Sequence, residues 1–113
     1  MDVVVTVPKG RWAEWLDEGD LAGQGPAEFS SHFWLGSLPD IKPGERVYVV
    51  HNRVLRGYAP LTRLERAGWR WCLVRRGDAV AVTIPEQIVG FGGWRRRWWD
   101  RSLEVAFPTW AER

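Results

Sequence analysis

The eight residues from Trp94 to Arg101 carry three indoles and four guanidinium groups, behind the glycine-rich approach Gly90-Phe91-Gly92-Gly93. Guanidinium forks pair with phosphate oxygens and flat indoles stack on bases, so this combination suits a nucleic-acid surface. Trp94, Trp98 and Trp99 are candidate stacking platforms; Arg95, Arg96, Arg97 and Arg101 are candidate phosphate contacts. The same residues also fit an amphipathic segment whose tryptophans are core and whose arginines form a solvated rim. As a helix, the segment aligns Trp94, Trp98 and Arg101 on one face. As a strand, it alternates Arg95, Arg97 and Trp99 against Trp94, Arg96 and Trp98. Either way at least one tryptophan and two arginines face outward. Like charges this close repel unless something acidic neutralises them.

Arg53, Arg75 and Arg76 are candidates to extend that basic face. His32, Trp34 and His51 are candidates for the wall of a base pocket, although turn chemistry alone explains Asn52 and core packing is the plainer role for Trp34. No catalytic residue is assigned. Ser30 and Ser31 precede His32, but adjacent strand residues point to opposite faces, and no carboxylate pair or triad has supporting spacing. Two histidines and the single Cys72 cannot supply a usual structural zinc site. The loop at residues 90–93 lacks the Lys-Ser/Thr pair of a nucleotide-binding P-loop. Neither metal nor cofactor is expected.

These side chains must be positioned by short elements. The β-branched run at residues 3–7 reads as a buried first strand, broken by Pro8 and Gly10. Trp12, Trp15 and Leu16 then share one face at helical spacing over residues 11–18, with Gly19 as the stop. Residues 20–31 read as a loop and residues 32–35 as a short strand. Lys42-Pro43-Gly44-Glu45 is a turn leading into a hairpin, residues 46–50 and 54–59, with a bulge or close backbone approach at Gly57. Residues 69–74 and 79–84 read as a second strand pair turned by Arg75-Arg76-Gly77-Asp78. An alternating stretch at residues 103–107 closes the sheet. The order predicts an α+β fold: a small, mostly antiparallel curved sheet or pseudobarrel with one or two short helices.

A chain of 113 residues suffices for one domain with one core, and the whole of residues 1–113 reads as that domain. With 45% hydrophobic residues and nine tryptophans it is globular. It has neither an apolar run near the roughly 20 residues of a membrane span nor the start of a signal peptide, so a soluble, intracellular protein is expected. The formal charge of +2 conceals an asymmetry: residues 1–50 hold four basic and eight acidic side chains, residues 51–113 twelve and six. Such a one-sided field steers a polyanion.

The turn Lys42-Pro43-Gly44-Glu45-Arg46-Val47, the strand end Gly57-Tyr58-Ala59-Pro60-Leu61 and the tryptophan-bearing helix ending at Gly19 resemble the PUA-like superfamily, in particular its ASCH and EVE domains. The resemblance covers about the first two thirds of the chain and implies a scaffold that binds RNA, or a modified or flipped base in a cleft beside the sheet. Where some ASCH proteins carry the amidohydrolase pattern G-x-K-x-x-E-x-R, this chain has Leu21, Gln24 and Pro26 in place of lysine, glutamate and arginine. That chemistry is not carried over. The expectation is a nucleic-acid-binding domain whose partner is RNA or DNA. Two other classes stay open: an enzyme on the same scaffold acting on a modified nucleoside or small amide, and a protein-interaction module, a homodimer being one form of it, using exposed tryptophan and arginine.

Overall fold

The computed structural model describes residues 1–18, 21, 28–33 and 37–112, without the side chains of residues 18, 28–33 and 67. Among these described residues, eight strands and one α-helix run in the order β1 (Val3–Thr6), α1 (Lys9–Glu18), β2 (Glu28–Phe33), β3 (Arg46–His51), β4 (Val54–Ala67), β5 (Arg70–Arg76), β6 (Val82–Thr83), β7 (Trp94–Arg96) and β8 (Val105–Ala106). A 3-10 turn at Arg101–Leu103 precedes β8. Six strands form one sheet in the order β2-β5-β4-β3-β1-β7, while β6 and β8 make a separate ribbon. Every pairing is antiparallel except β1 with β3.

β1 lies between β3 and β7 and is covered on both faces, which is why its valines run without alternation. Val3, Val5, Val47 and Val49 pack beneath α1, against Trp12 and Trp15. Val4, Tyr48 and Val50 pack on the opposite side with Leu55, Ile84, Ile88 and Trp99. At about 3.3 Å per residue, a straight 14-residue strand would span about 46 Å. The longest dimension of the molecule is 35 Å, so β4 must curve. Its first half pairs with β3 and its second half with β5, with register irregularities at Val49/Val50 and at Leu61/Arg63.

Gly57 has the close approach its position predicts: a Cβ there would stand 2.5 Å from the Val80 carbonyl oxygen. That contact belongs to a bridge in which Tyr58 and Val80 exchange backbone hydrogen bonds. The first hairpin turns on Asn52 (φ 50) and Arg53 (φ 65), both left-handed as a type I′ turn requires.

Three expectations are corrected. The segment expected to be loop through residue 31 contains β2, an edge strand antiparallel to β5, where pairing on one side tolerates a polar sequence. The expected pairing of residues 69–74 with 79–84 does not form. β5 is flanked by β2 and β4, and only Val82–Thr83 of the second segment is strand, paired with β8. Alternation identifies a strand but not its partner, and β4 continues past Pro60 far enough to claim β5 through the tight turn at Gly68 (φ 63). The closing strand is shorter than residues 103–107, because Asp100 caps the 3-10 turn by accepting a hydrogen bond from the Ser102 amide. Gly19 lies outside the described residues.

Candidate nucleic-acid interface

Residues 94–96 are a strand at the sheet edge, paired with Val5, Val4 and Val3 of β1. Alternation therefore splits the arginine triplet. Arg95, opposite Val4, lies with its guanidinium 4.5 Å over the Phe91 ring. Arg96, opposite Val3, is exposed toward the other side. Arg97 turns back along the sheet end, its Nε donating to the Asp2 carboxylate at 3.1 Å and its Nη1 to the Trp99 carbonyl.

The same carboxylate accepts from Arg101 Nη2 at 2.7 Å and from the Arg46 amide at 2.9 Å. Burial pushes the Asp2 carboxyl up, but the hydrogen bonds from Arg101, Arg46 and Arg97 outweigh it and hold the group below its ordinary value. Trp99 is 5% exposed, so the expected stacking platform is core. Its Nε1 donates to Glu104, which also accepts from the Tyr48 hydroxyl and from Arg46. Burial, then the bond to Glu104, pushes the Tyr48 phenol well up. Trp94 is half-buried against the core and donates to the Ser37 carbonyl at 2.7 Å. Trp98 remains 42% exposed, its Nε1 bonded to Glu86.

Arg75 is also corrected. It is fully buried, because strand alternation in β5 places it two residues from Leu73 on the core side, and its guanidinium lies 4.2 Å over Trp15 of α1. Arg76 points outward but pairs with Asp78. Arg53 is exposed at the hairpin tip. His32 lies in β2, opposite Cys72 and at the far edge of the strand order from β7. Trp34 lies outside the described residues.

Pairing sorts the arginines. Among the described residues, Arg11, Arg46, Arg63, Arg76, Arg97 and Arg101 each pair with a carboxylate. Arg56 and Arg75 are buried against aromatic rings. Arg53, Arg66, Arg70, Arg95 and Arg96 are exposed and pair with no described carboxylate.

His51 sits at the end of β3 in a cavity of about 330 Å³ lined by Lys9, Trp12, Ala13, Leu16, His51 and Asn52. Its ring stacks on Trp12 at 4.3 Å between centroids and 8° between planes. Nδ1 lies 2.8 Å from the Val7 carbonyl, which can only accept, so Nδ1 carries the proton and Nε2 is left as an acceptor. Burial, with help from the nearby Arg56 and Lys9 charges, lowers the His51 pKa and favours this neutral form.

Arg56 is buried behind the stack, donating to the His51 carbonyl and to the carbonyls of Trp110 and Glu112, with its guanidinium 5.3 Å from the Trp12 ring. The buried Trp12 Nε1 has no hydrogen-bond partner among the described residues. Lys9 and Arg11 occupy the first turn of α1, where the helix dipole favours anions.

The hairpin tip separates this cavity from an open groove lined by residues 86–90, Arg95 and Trp98. Asn52 lines the cavity, and the Arg53 carbonyl accepts from Ile88 in the groove. The groove segment is fastened to β1, with Thr6 Oγ1 accepting from the Phe91 amide at 3.3 Å.

Sequence reasoning missed Asp2 and Glu104 as the organisers of the tryptophan-arginine segment, and no local signal marks either one. It also missed Trp12 as a cavity wall and the second cluster at residues 66–71. The latter was legible as Arg66-Ala67-Gly68-Trp69-Arg70-Trp71, a repeat of the composition already singled out. No helix among the described residues is long and apolar enough to cross a membrane, and none of their side chains cluster as a metal site. No family model, curated protein or solved structure matches the chain.

Proposed function

We propose that this chain is a nucleic-acid-binding domain of PUA-like, pseudobarrel architecture. It receives a modified or extruded base in the Trp12–His51 cavity, while Arg53, Arg95 and Arg96 hold phosphates and Trp98 stacks on a neighbouring base. The observation that carries the reading is the sorting of arginines. The described acidic groups pair with one set and leave another exposed, and Arg53 and Arg95 of that second set flank the hairpin tip beside an exposed indole.

Supporting it, the cavity is near the lower end of the usual range for small-ligand pockets, about 300–1,000 Å³. It offers a flat aromatic wall, a neutral imidazole acceptor and the Lys9 ammonium at a helix N-terminus, the features that suit a base with its phosphate. No described carboxylate lines it beside His51, so the proposal is recognition and contains no chemical step.

The test is fluorescence anisotropy with labelled single-stranded and duplex RNA and DNA at about 50 and 200 mM salt. Binding that falls steeply with salt is expected, and Arg95→Gln/Arg96→Gln is expected to weaken it and to flatten the log–log salt slope by about 0.7–0.9 per lost phosphate contact. Ala13→Phe, which fills the cavity from the exposed side of α1, should remove preference among bases and leave the salt-dependent part. Wild-type protein that binds none of these polymers at low salt would refute the proposal.

A further inference from the structure

The arginines of residues 94–101 do not all face the groove. Arg95 and Arg96 alternate across β7: Arg95 lines the groove beside Trp98, whereas Arg96 lines a separate cleft of about 300 Å³ with Arg97, Arg101, Asp2, Glu45 and Met1. We propose that this cleft binds a phosphate monoester, either free or as the terminal phosphate of a nucleotide or strand. The site goes beyond the nucleic-acid reading above and shares only Arg96 with it.

Two connections build the cleft. The Arg97 amide donates to the Asp2 carbonyl at 3.2 Å, which carries the pairing of β1 with β7 one residue further and fixes where the Arg97 side chain leaves. The 3-10 turn capped by Asp100 then brings Arg101 back to the same place. Both guanidinium groups donate to a single oxygen, Asp2 Oδ2, at 3.1 and 2.7 Å, so they are necessarily neighbours. The Asp2 side chain is 5% exposed while that of Arg101 is 50% exposed, so the carboxylate lies beneath and cations face the solvent.

Asp2 supplies one negative charge against the three positive charges of Arg96, Arg97 and Arg101. Glu45, the other carboxylate of the cleft, is engaged by the Lys42 amide and the Met1 amino group. Glu104, whose charge also reaches Arg101, is engaged by Arg46. Two guanidinium charges are therefore left without a counter-charge among the described residues. That surplus matches a phosphate monoester, which carries close to two charges near neutral pH, and exceeds the single charge of a diester. Arg101 Nε and Nη1, Arg97 Nη2 and the Arg96 fork have no described acceptor, and planar forks of this kind meet phosphate oxygens two at a time. Among the described residues no ring lines the cleft, so it recognises the phosphate and not the base.

Phosphorus NMR titrations with methyl phosphate and with dimethyl phosphate at low salt test the proposal. Methyl phosphate is expected to bind and dimethyl phosphate to bind much more weakly. Arg96→Gln should weaken methyl phosphate by about tenfold, the worth of one charge-assisted contact, and leave the unfolding midpoint unchanged. Arg101→Gln should weaken it as well, while Arg70→Gln, the same charge change near the opposite edge of the sheet, should have no effect.

The proposal is overturned if wild type does not bind methyl phosphate, if the two esters bind equally, or if Arg96→Gln and Arg101→Gln bind as wild type does. Salt-dependent binding of strands without binding of methyl phosphate overturns the cleft and leaves the nucleic-acid reading standing; methyl phosphate binding without strand binding does the reverse. Anisotropy with labelled RNA that carries or lacks a terminal phosphate separates the two sources. A preference for the phosphorylated strand that Arg101→Gln removes assigns the cleft to a strand terminus, and methyl phosphate binding without that preference assigns it to a free phosphate.

Discussion

Residues 94–101 and the hairpin tip at residues 66–71 are both arginine-tryptophan clusters preceded by or containing glycine, yet the fold uses them in opposite ways. In the first, Asp2 engages Arg97 and Arg101 and Glu104 engages Trp99, so three of its seven aromatic and basic side chains are tied into the fold. In the second, the guanidinium groups of Arg66 and Arg70 meet, among the described residues, rings and a backbone carbonyl. The difference is not in the clusters. It lies in which carboxylates the topology delivers: β1 carries Asp2 to the end of β7, and the residue after the 3-10 turn brings Glu104 beneath Tyr48 and Trp99. A cluster of arginines is therefore a candidate polyanion site only after the fold's own acids have been assigned.

The comparison is sharpened most by the two tryptophans it separates. Trp99→Ala should cost about 3–5 kcal/mol in urea unfolding, since it empties a core position. Trp69→Ala should stay within about 0.5 kcal/mol of wild type, as an exposed site does. A large loss at Trp69 would mean that the tip is structural too, and the contrast would collapse.

Asp2→Asn comes next. It leaves two guanidinium groups without their counter-charge, but Arg101 is half exposed and water recovers part of the loss, so about 2 kcal/mol is expected. Acid should act in the same direction. Because the folded pKa of Asp2 is lowered, its contribution is complete above the ordinary value of 3.8 and is lost as pH falls through the lower folded value. The lowered His51 pKa has the same sign at a higher window: its contribution is complete above 6.5 and declines as pH falls below that. Denaturation curves across that pH range should therefore lose stability in two stages in wild type, with the more acidic stage diminished in Asp2→Asn. The smallest effect is expected from Arg70→Gln, which should leave the unfolding midpoint unchanged.

How much was legible follows the range of the interaction. The first strand, α1 and the β3–β4 hairpin are visible in residues 3–7, in the spacing of Trp12, Trp15 and Leu16, and in the turn at Asn52, because each depends on neighbours a few residues away. Gly57 was legible as a close approach, though not as an approach to Val80. The partner of β5 was not legible, since an alternating strand is compatible with any neighbour offering matching faces. Arg75 was misjudged for a related reason. A guanidinium reads as exposed unless one knows that Trp15 of a distant helix covers it.

The sequence by itself determined that this is a small α+β domain with a buried valine strand, an amphipathic tryptophan-bearing helix, a tight first hairpin and a basic C-terminal half, because periodicity, turn chemistry and charge are local or additive. Only the tertiary structure decided which arginines and tryptophans are available to a partner. Ion pairing and burial are set by contacts across tens of residues, and Asp2, 95 positions from Arg97 in the chain, is what turns that arginine inward.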